Sequence, residues 1–171
     1  MATAMKAVQA LDRRFDVPAV VTALPQVRER RMRGVRVGTL CLLVAHDCGG
    51  EILDAPRVRR LPLMPSWCSG LINVRGQLIP AFDLHACLDM AQQRATRQWW
   101  LVLGGGESAV AFPIDALPQS LLLSQATSIQ TLALPERLQP HVVNGFRIDG
   151  ELWFEFRHLE FFKSLRYQNA A

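Results

Sequence analysis

A chain of 171 residues, half of them apolar, carries enough hydrophobic side chain for one domain with a buried core, which argues against disorder over most of its length. Its formal charge of +4 is unevenly spread: residues 1–36 hold eight Lys and Arg against three acids, whereas the remainder holds eleven against twelve. The longest uncharged apolar runs, Gly38 to Ala45 and Leu117 to Leu123, fall well short of the roughly 18 residues that cross a bilayer, and Lys6, Asp12, Arg13 and Arg14 interrupt any secretory leader, so a cytoplasmic protein is expected.

In chain order, residues 1–33 read as a basic N-terminal extension with a short helix near Met5 to Arg13 and prolines at 18 and 25. Its charge is concentrated in Arg28 to Arg33. Such an arm suits a solvated leader first, and an acidic surface, anionic lipid or RNA second. From Gly34 the pattern is of strands: Gly34 to Val37 and Thr39 to Ala45 flank Gly38, a Gly49-Gly50 turn leads to Glu51 to Leu53, and Val58 to Leu61 is closed by Pro62 and Pro65. Ser69 to Val74 and Gln77 to Phe82 follow as two short apolar strands. The Arg75-Gly76 pair between them supplies the left-handed backbone of a two-residue hairpin. Asp83 stands where an N-cap belongs, opening a helix of roughly Asp83 to Met90.

The polar stretch Ala91 to Thr96 reads as a crossing between subdomains. Beyond it, Gln98 to Leu103 and Ser108 to Ile114 flank a Gly104 to Glu107 turn, and Leu117 to Leu123 is a further strand. A weaker pattern, Ser124 to Gln139, precedes His141 to Ile148 and Glu151 to Phe156, which flank the hairpin signal Asp149-Gly150. Arg157 to Arg166 closes the domain as an amphipathic helix, with Leu159, Phe162, Lys163 and Leu165 marking its face; residues 167–171 form a tail. Short strands between glycine and proline turns favour an all-β protein of small barrels over a βαβ sheet.

No reactive machinery is legible. The four cysteines at 41, 48, 68 and 87 form no Cys-x-x-Cys pair, and Cys41, Cys68 and Cys87 lie in apolar stretches where a thiol behaves as a small hydrophobe; only Cys48 reads as exposed. His85 and Cys87 stand two apart on a helical turn and point in different directions, so no metal is expected. The Gly104-Gly105-Gly106 run lacks the Lys-Ser/Thr and the helix of a phosphate loop and is read as a wide hairpin. Ser66, Ser69 and Ser108 sit in no nucleophile elbow. Neither an enzyme nor a cofactor is expected.

The block from Met64 to Leu84, MPSWCSGLINVRGQLIPAFDL, is the most specific stretch. Through Pro65, Trp67, Gly70, Asn73, Arg75, Gly76, Pro80, Asp83 and Leu84 it resembles the signature of the CheW-like domain, an adaptor module of bacterial chemosensory arrays. Each of these positions also has a structural account: Asn73 and Gly76 shape the hairpin, Pro65 and Pro80 fix strand entry or an edge, Asp83 caps, and Trp67 anchors the core. Arg75 is different, because a turn needs no guanidinium. Its fork suits an inward carboxylate, Asp83 or Glu51, as well as an outward partner.

The resemblance implies two intertwined five-stranded β-barrel subdomains with a short mid-chain helix and a C-terminal helix. Subdomain 1 takes residues 34–92 plus the helix 157–166, and subdomain 2 takes residues 93–156. It also implies a non-enzymatic adaptor, with one surface for the regulatory domain of a CheA-type histidine kinase and a groove for the tip of a methyl-accepting chemoreceptor, its apolar floor and polar rim receiving a helix. Carried onto this chain, the groove candidates are Leu42, Val44, Glu51, Ile52 and Leu53, with Arg75 nearby. Trp67, the basic leader and the Trp153-Phe154 strand resemble the branch attached to type IV pilus and twitching-motility systems. The competing reading is a small β-barrel nucleic-acid binder driven by the basic arm, with Trp99 and Trp100 as stacking platforms. Neither nucleic acid nor membrane insertion is expected on the adaptor reading.

Overall fold

The computed structural model describes residues 30–90, 98–123, 127–129 and 134–167. The expected helix at Met5 to Arg13, the link Ala91 to Thr96 and residues 168–171 lie outside the described residues. Twelve strands and two α-helices are described: β1 Arg31–Val37, β2 Leu40–Ala45, β3 Glu51–Asp54, β4 Val58–Arg59, β5 Cys68–Val74, β6 Gln77–Phe82, α1 Leu84–Cys87, β7 Trp99–Leu103, β8 Val110–Ile114, β9 Gln119–Leu122, β10 Thr127–Ile129, β11 Val142–Ile148, β12 Glu151–Phe156 and α2 His158–Tyr167. The all-β class is as the sequence implies. β6 and β12 begin and end at the expected residues, because tight turns with positive φ bound them: Arg75 (φ 53) and Gly76 (φ 87) before β6, Asp149 (φ 50) and Gly150 (φ 82) before β12.

The strands form two curled sheets, each of six strands rather than five, because the very short β4 and β10 add one edge strand apiece. The first sheet runs β10-β11-β12-β2-β1-β9 and the second β3-β7-β8-β6-β5-β4. This cuts across the expected division of the chain at residue 92. The β1–β2 hairpin pairs with C-terminal strands, through the parallel contact of β12 with β2 (Phe154↔Leu42), so residues 31–45 and 119–156 share a sheet and residues 51–114 form the other. β1 also starts at Arg31, three residues inside the expected leader, because Met32 is buried and the register with β2 begins there.

β2 shows why an unbroken apolar run is needed at the centre of a sheet. Leu42 and Val44 enter the main core, whereas Cys41 and Leu43 face a separate cluster with Met32, Ile148 and Trp153, so both faces of the strand are covered. Gly34 is required on the neighbouring strand: a Cβ there would lie 2.6 Å from the Trp153 ring. The main core lies between the sheets and joins Val35, Leu42 and Val44 to Phe82, Leu101 and Phe112, with α2 contributing Phe161, Phe162 and Leu165. Phe162 touches both Phe82 (4.7 Å between ring centroids) and Phe112 (5.6 Å). Each such fully buried aromatic is worth about 1.5–3 kcal/mol of burial. Leu159, expected on the apolar face of α2, is instead exposed, and Phe161 takes its place.

Helix α1 is one turn, shorter than the expected Asp83 to Met90. Its start is as read: the Asp83 carboxylate accepts the N–H groups of His85 (3.1 Å) and Ala86 (3.3 Å). Its end is set by Asp89, whose positive φ of 50 turns the chain out of the helix.

Candidate functional site

The chain passes from the first sheet to the second between Ala45 and Glu51, and back again between Ile114 and Gln119. These two crossings lie beside the open edges of the sheets, β3 in one and β9 in the other, and between them is a recess of 210 Å³. Its walls are Ile52 on β3, Gln119 and Ser120 on β9, and Pro118 just before β9; Leu101 of β7 is its buried floor. Arg33 and His46 form the rim. Arg33 donates to the Gly49 carbonyl (2.6 Å), and a Cβ on Gly50 would fall 2.2 Å from its guanidinium, so Gly50 makes room for the cation. Ile52 is 42 % exposed in this recess. An exposed β-branched side chain over an apolar floor, with cationic and amide groups around it, has the chemistry to receive the side chains of an amphipathic helix.

On the face of β3 opposite Ile52, the hairpin tip closes on the strand. Arg75 Nη2 lies 3.1 Å from Glu51 Oε1, with 81 % of its side chain exposed. Of the roles open to Arg75, the inward carboxylate is Glu51, while the free face of the guanidinium remains turned to solvent. Behind it, Asn73 Oδ1 accepts the Gly76 N–H (2.8 Å), and Gln77 reaches the Gly106 carbonyl (2.6 Å) of the β7–β8 turn, which ties the tip to the end of the neighbouring strand β8.

Of the six groove candidates, Ile52 alone lines the recess. Glu51 and Arg75 pair with each other outside it, Glu51 lying on the other face of β3. Leu53 alternates to the other face of β3 and packs on the second sheet's own core, with Ile72, Val102 and Ala111. Leu42 and Val44 are corrected outright: each is 1 % exposed in the main core, because β2 is a central strand between β12 and β1. The sequence reading missed Arg33, His46, Leu101, Pro118, Gln119 and Ser120. Their one local signal is the proline that breaks Leu117 to Leu123 at the second crossing.

The signature residues have structural places. Trp67 stacks on Phe82 at 5.9 Å, and its carbonyl accepts the Asp83 N–H (2.8 Å). The Pro65 carbonyl accepts the Cys68 N–H (2.9 Å). Gly70 (φ 132) lies so close to β4 that a Cβ would sit 2.1 Å from the Arg59 carbonyl oxygen. Leu84 is wholly buried. Pro80, expected at an edge, is in the interior strand β6, which meets β8 at the single register pair Ala81↔Ala111.

A second exposed feature precedes β5. Leu61, Leu63 and Met64 are all exposed in the loop that follows β4, Leu63 fully and with a positive φ of 62. Arg57, Arg59 and Arg60 flank them, exposed and without an ion-pair partner among the described residues. This loop and Arg75 stand at opposite ends of the seven-residue β5, about 20 Å apart.

The remaining chemistry is quiet. Among the described residues no group of three or more His, Cys, Asp or Glu is arranged around a metal position, and no helix is long and apolar enough to cross a membrane. Burial raises the Cys87 thiol to about 12, and the thiols of Cys41 and Cys48 are also raised by burial. Cys48 is half-buried rather than exposed. The arginines at the start of the fold are engaged: Arg30 pairs with Glu155, itself held by Asn144 (3.1 Å), and Arg36 pairs with Glu151 while lying over the Trp153 ring. Trp99 and Trp100 are half-buried against the two cores, not displayed as platforms.

These features converge with comparison to known proteins. The CheW-like domain model matches residues 32–164. The chain belongs to the CheW-like family. A stretch of 51 residues is 39 % identical to protein PilI of Pseudomonas aeruginosa, covering 30 % of this chain and 29 % of that protein, so the CheW-like chain aligns with under a third of the relative's length. The scaffolding protein TtCheW of Thermoanaerobacter tengcongensis superposes with a TM-score of 0.64 at 12 % identity, covering 75 % of this chain and 84 % of that one, and it shares the fold.

Proposed function

We propose that this CheW-like protein is a non-enzymatic adaptor of a bacterial chemosensory pathway, holding the cytoplasmic tip of a chemoreceptor and the regulatory domain of a CheA-type histidine kinase at the same time. The observation that carries the reading is the recess between the two crossings, apolar at Ile52 and Leu101 and rimmed by Arg33 and His46. It has room for the side chains of one helix face, with Arg33 and His46 at its rim for register. An adaptor also needs a second surface clear of the first. The loop of Leu61, Leu63 and Met64 with Arg57, Arg59 and Arg60, exposed and unpaired among the described residues, lies at the far end of β5, meets that need and is assigned here to the kinase. The PilI match supports placement in a type IV pilus or twitching-motility system, working in the cytoplasm at receptor arrays.

The test is co-sedimentation of the purified protein with receptor-bearing vesicles and, separately, with a CheA-type kinase from the same cell. Both are expected to bind. Ile52→Asp should abolish receptor binding and leave the kinase bound, and Leu63→Asp should do the reverse, each with an unchanged melting temperature. A folded wild-type protein that binds neither partner would sink the adaptor reading.

A further inference from the structure

One buried group has no part in the docking surface as described. His85, in the first turn of α1, is 2 % exposed, and among the described residues neither ring nitrogen has a hydrogen-bond partner. Its Nε2 stands 3.9 Å from Asp115 Oδ2, too far for a hydrogen bond and close enough to become one with a shift of about 1 Å. Asp115 is the first residue after β8, where the chain leaves the second sheet to cross to the first. It is held from both sheets: its N–H donates to the Arg36 carbonyl of β1 (3.0 Å), its carboxylate accepts the Gly38 N–H of the β1–β2 turn, and Gln98, just before β7, donates to its other oxygen (3.4 Å). Gly38 leaves space for the ring, since a Cβ there would lie 2.9 Å from His85 Cε1.

Asp115 thus joins both sheets and begins the crossing whose next residues, Pro118, Gln119 and Ser120, wall the recess. We propose that His85 and Asp115 form a latch between the sheets that sets the width of the recess and closes to a hydrogen bond when a helix docks. Among the described residues the His85 ring has no hydrogen-bond partner, and a buried imidazole left so is a costly group. Docking against Pro118 to Ser120 would move the crossing at its start, and Asp115 is the residue that carries that movement to α1. His85 is therefore a positioning residue: it touches no partner and acts through Asp115. The inference rests on the recess being the docking site.

The experiment follows the imidazole ¹⁵N resonances of His85 while a soluble fragment carrying a chemoreceptor hairpin tip is added to the full chain, with the Ile52 methyl resonance recorded in the same samples. Binding should move both, the His85 nitrogen that faces Asp115 taking on the shift of a hydrogen-bonded site. Movement of Ile52 with His85 unchanged would overturn the latch and leave the docking site standing, whereas no movement of either would remove both. His85→Phe, which fills the same space without ring nitrogens, should weaken binding of the fragment about five- to tenfold and leave kinase binding unaltered. Equal affinity in a folded His85→Phe protein would also overturn it.

Discussion

The two sheets are built by opposite strategies. The second uses residues 51–114 in an unbroken span, with its hairpins made by neighbouring strands, whereas the first joins β1 and β2 to strands more than 70 residues further along. The second depends on backbone conformation at a few turns, and the first on a few large side chains that hold distant segments together. Stability should therefore fail through packing in one and through the main chain in the other.

The largest effect expected is from Trp153→Ala, which empties the cluster where β1, β2 and β12 meet. Urea unfolding should register a loss of about 4 kcal/mol, and a loss under 1 would show that the first sheet does not hang on this side chain. Gly70→Ala should follow at about 2–4 kcal/mol, because its Cβ would collide with the Arg59 carbonyl in a left-handed conformation. Near-neutral behaviour there would mean that β4 can detach freely, and the contrast between the sheets would fail.

A smaller effect is expected on changing pH. His158, buried at the start of α2 where it follows β12, is pushed below its ordinary value of 6.5 by burial. The folded protein then binds fewer protons than the unfolded chain, so the contribution to stability is whole above pH 6.5 and is lost as the pH falls through the lower folded value. His158→Gln should flatten the stability profile below pH 6.5, and an unchanged slope would transfer the effect to another group. Smallest in stability is Arg75→Ala. An exposed ion pair is worth about 0.5 kcal/mol, so the melting temperature should hardly move while receptor or kinase coupling weakens; a large fall in melting temperature with coupling intact would make the guanidinium structural.

This contrast also explains what could be read from the sequence. β6, β12 and the Asp83 cap were legible because each is fixed by residues within a few positions: Arg75-Gly76, Asp149-Gly150, and a carboxylate before a helix. The division of the chain between sheets was not, because the parallel meeting of Phe154 with Leu42 leaves no local mark. The same holds for the recess. Ile52 could be named from the family pattern, but Arg33 and Pro118 to Ser120 reach it only through the two crossings. Leu42 and Val44 misled because an apolar run is equally suited to a groove and to a strand covered on both faces, and the side chains of Cys41 and Leu43 decide between them only once their cluster is seen.

The parallel pairing of β12 with β2 also orders events during synthesis. Residues 51–114 carry every strand of the second sheet, but the face they give to the main core stays uncovered, and β2 keeps one edge unclaimed, until β12 and α2 have emerged. A nascent chain stopped at about residue 120 would hold a sheet bare on its core face and a sticky hairpin, the form in which a chaperone would meet it.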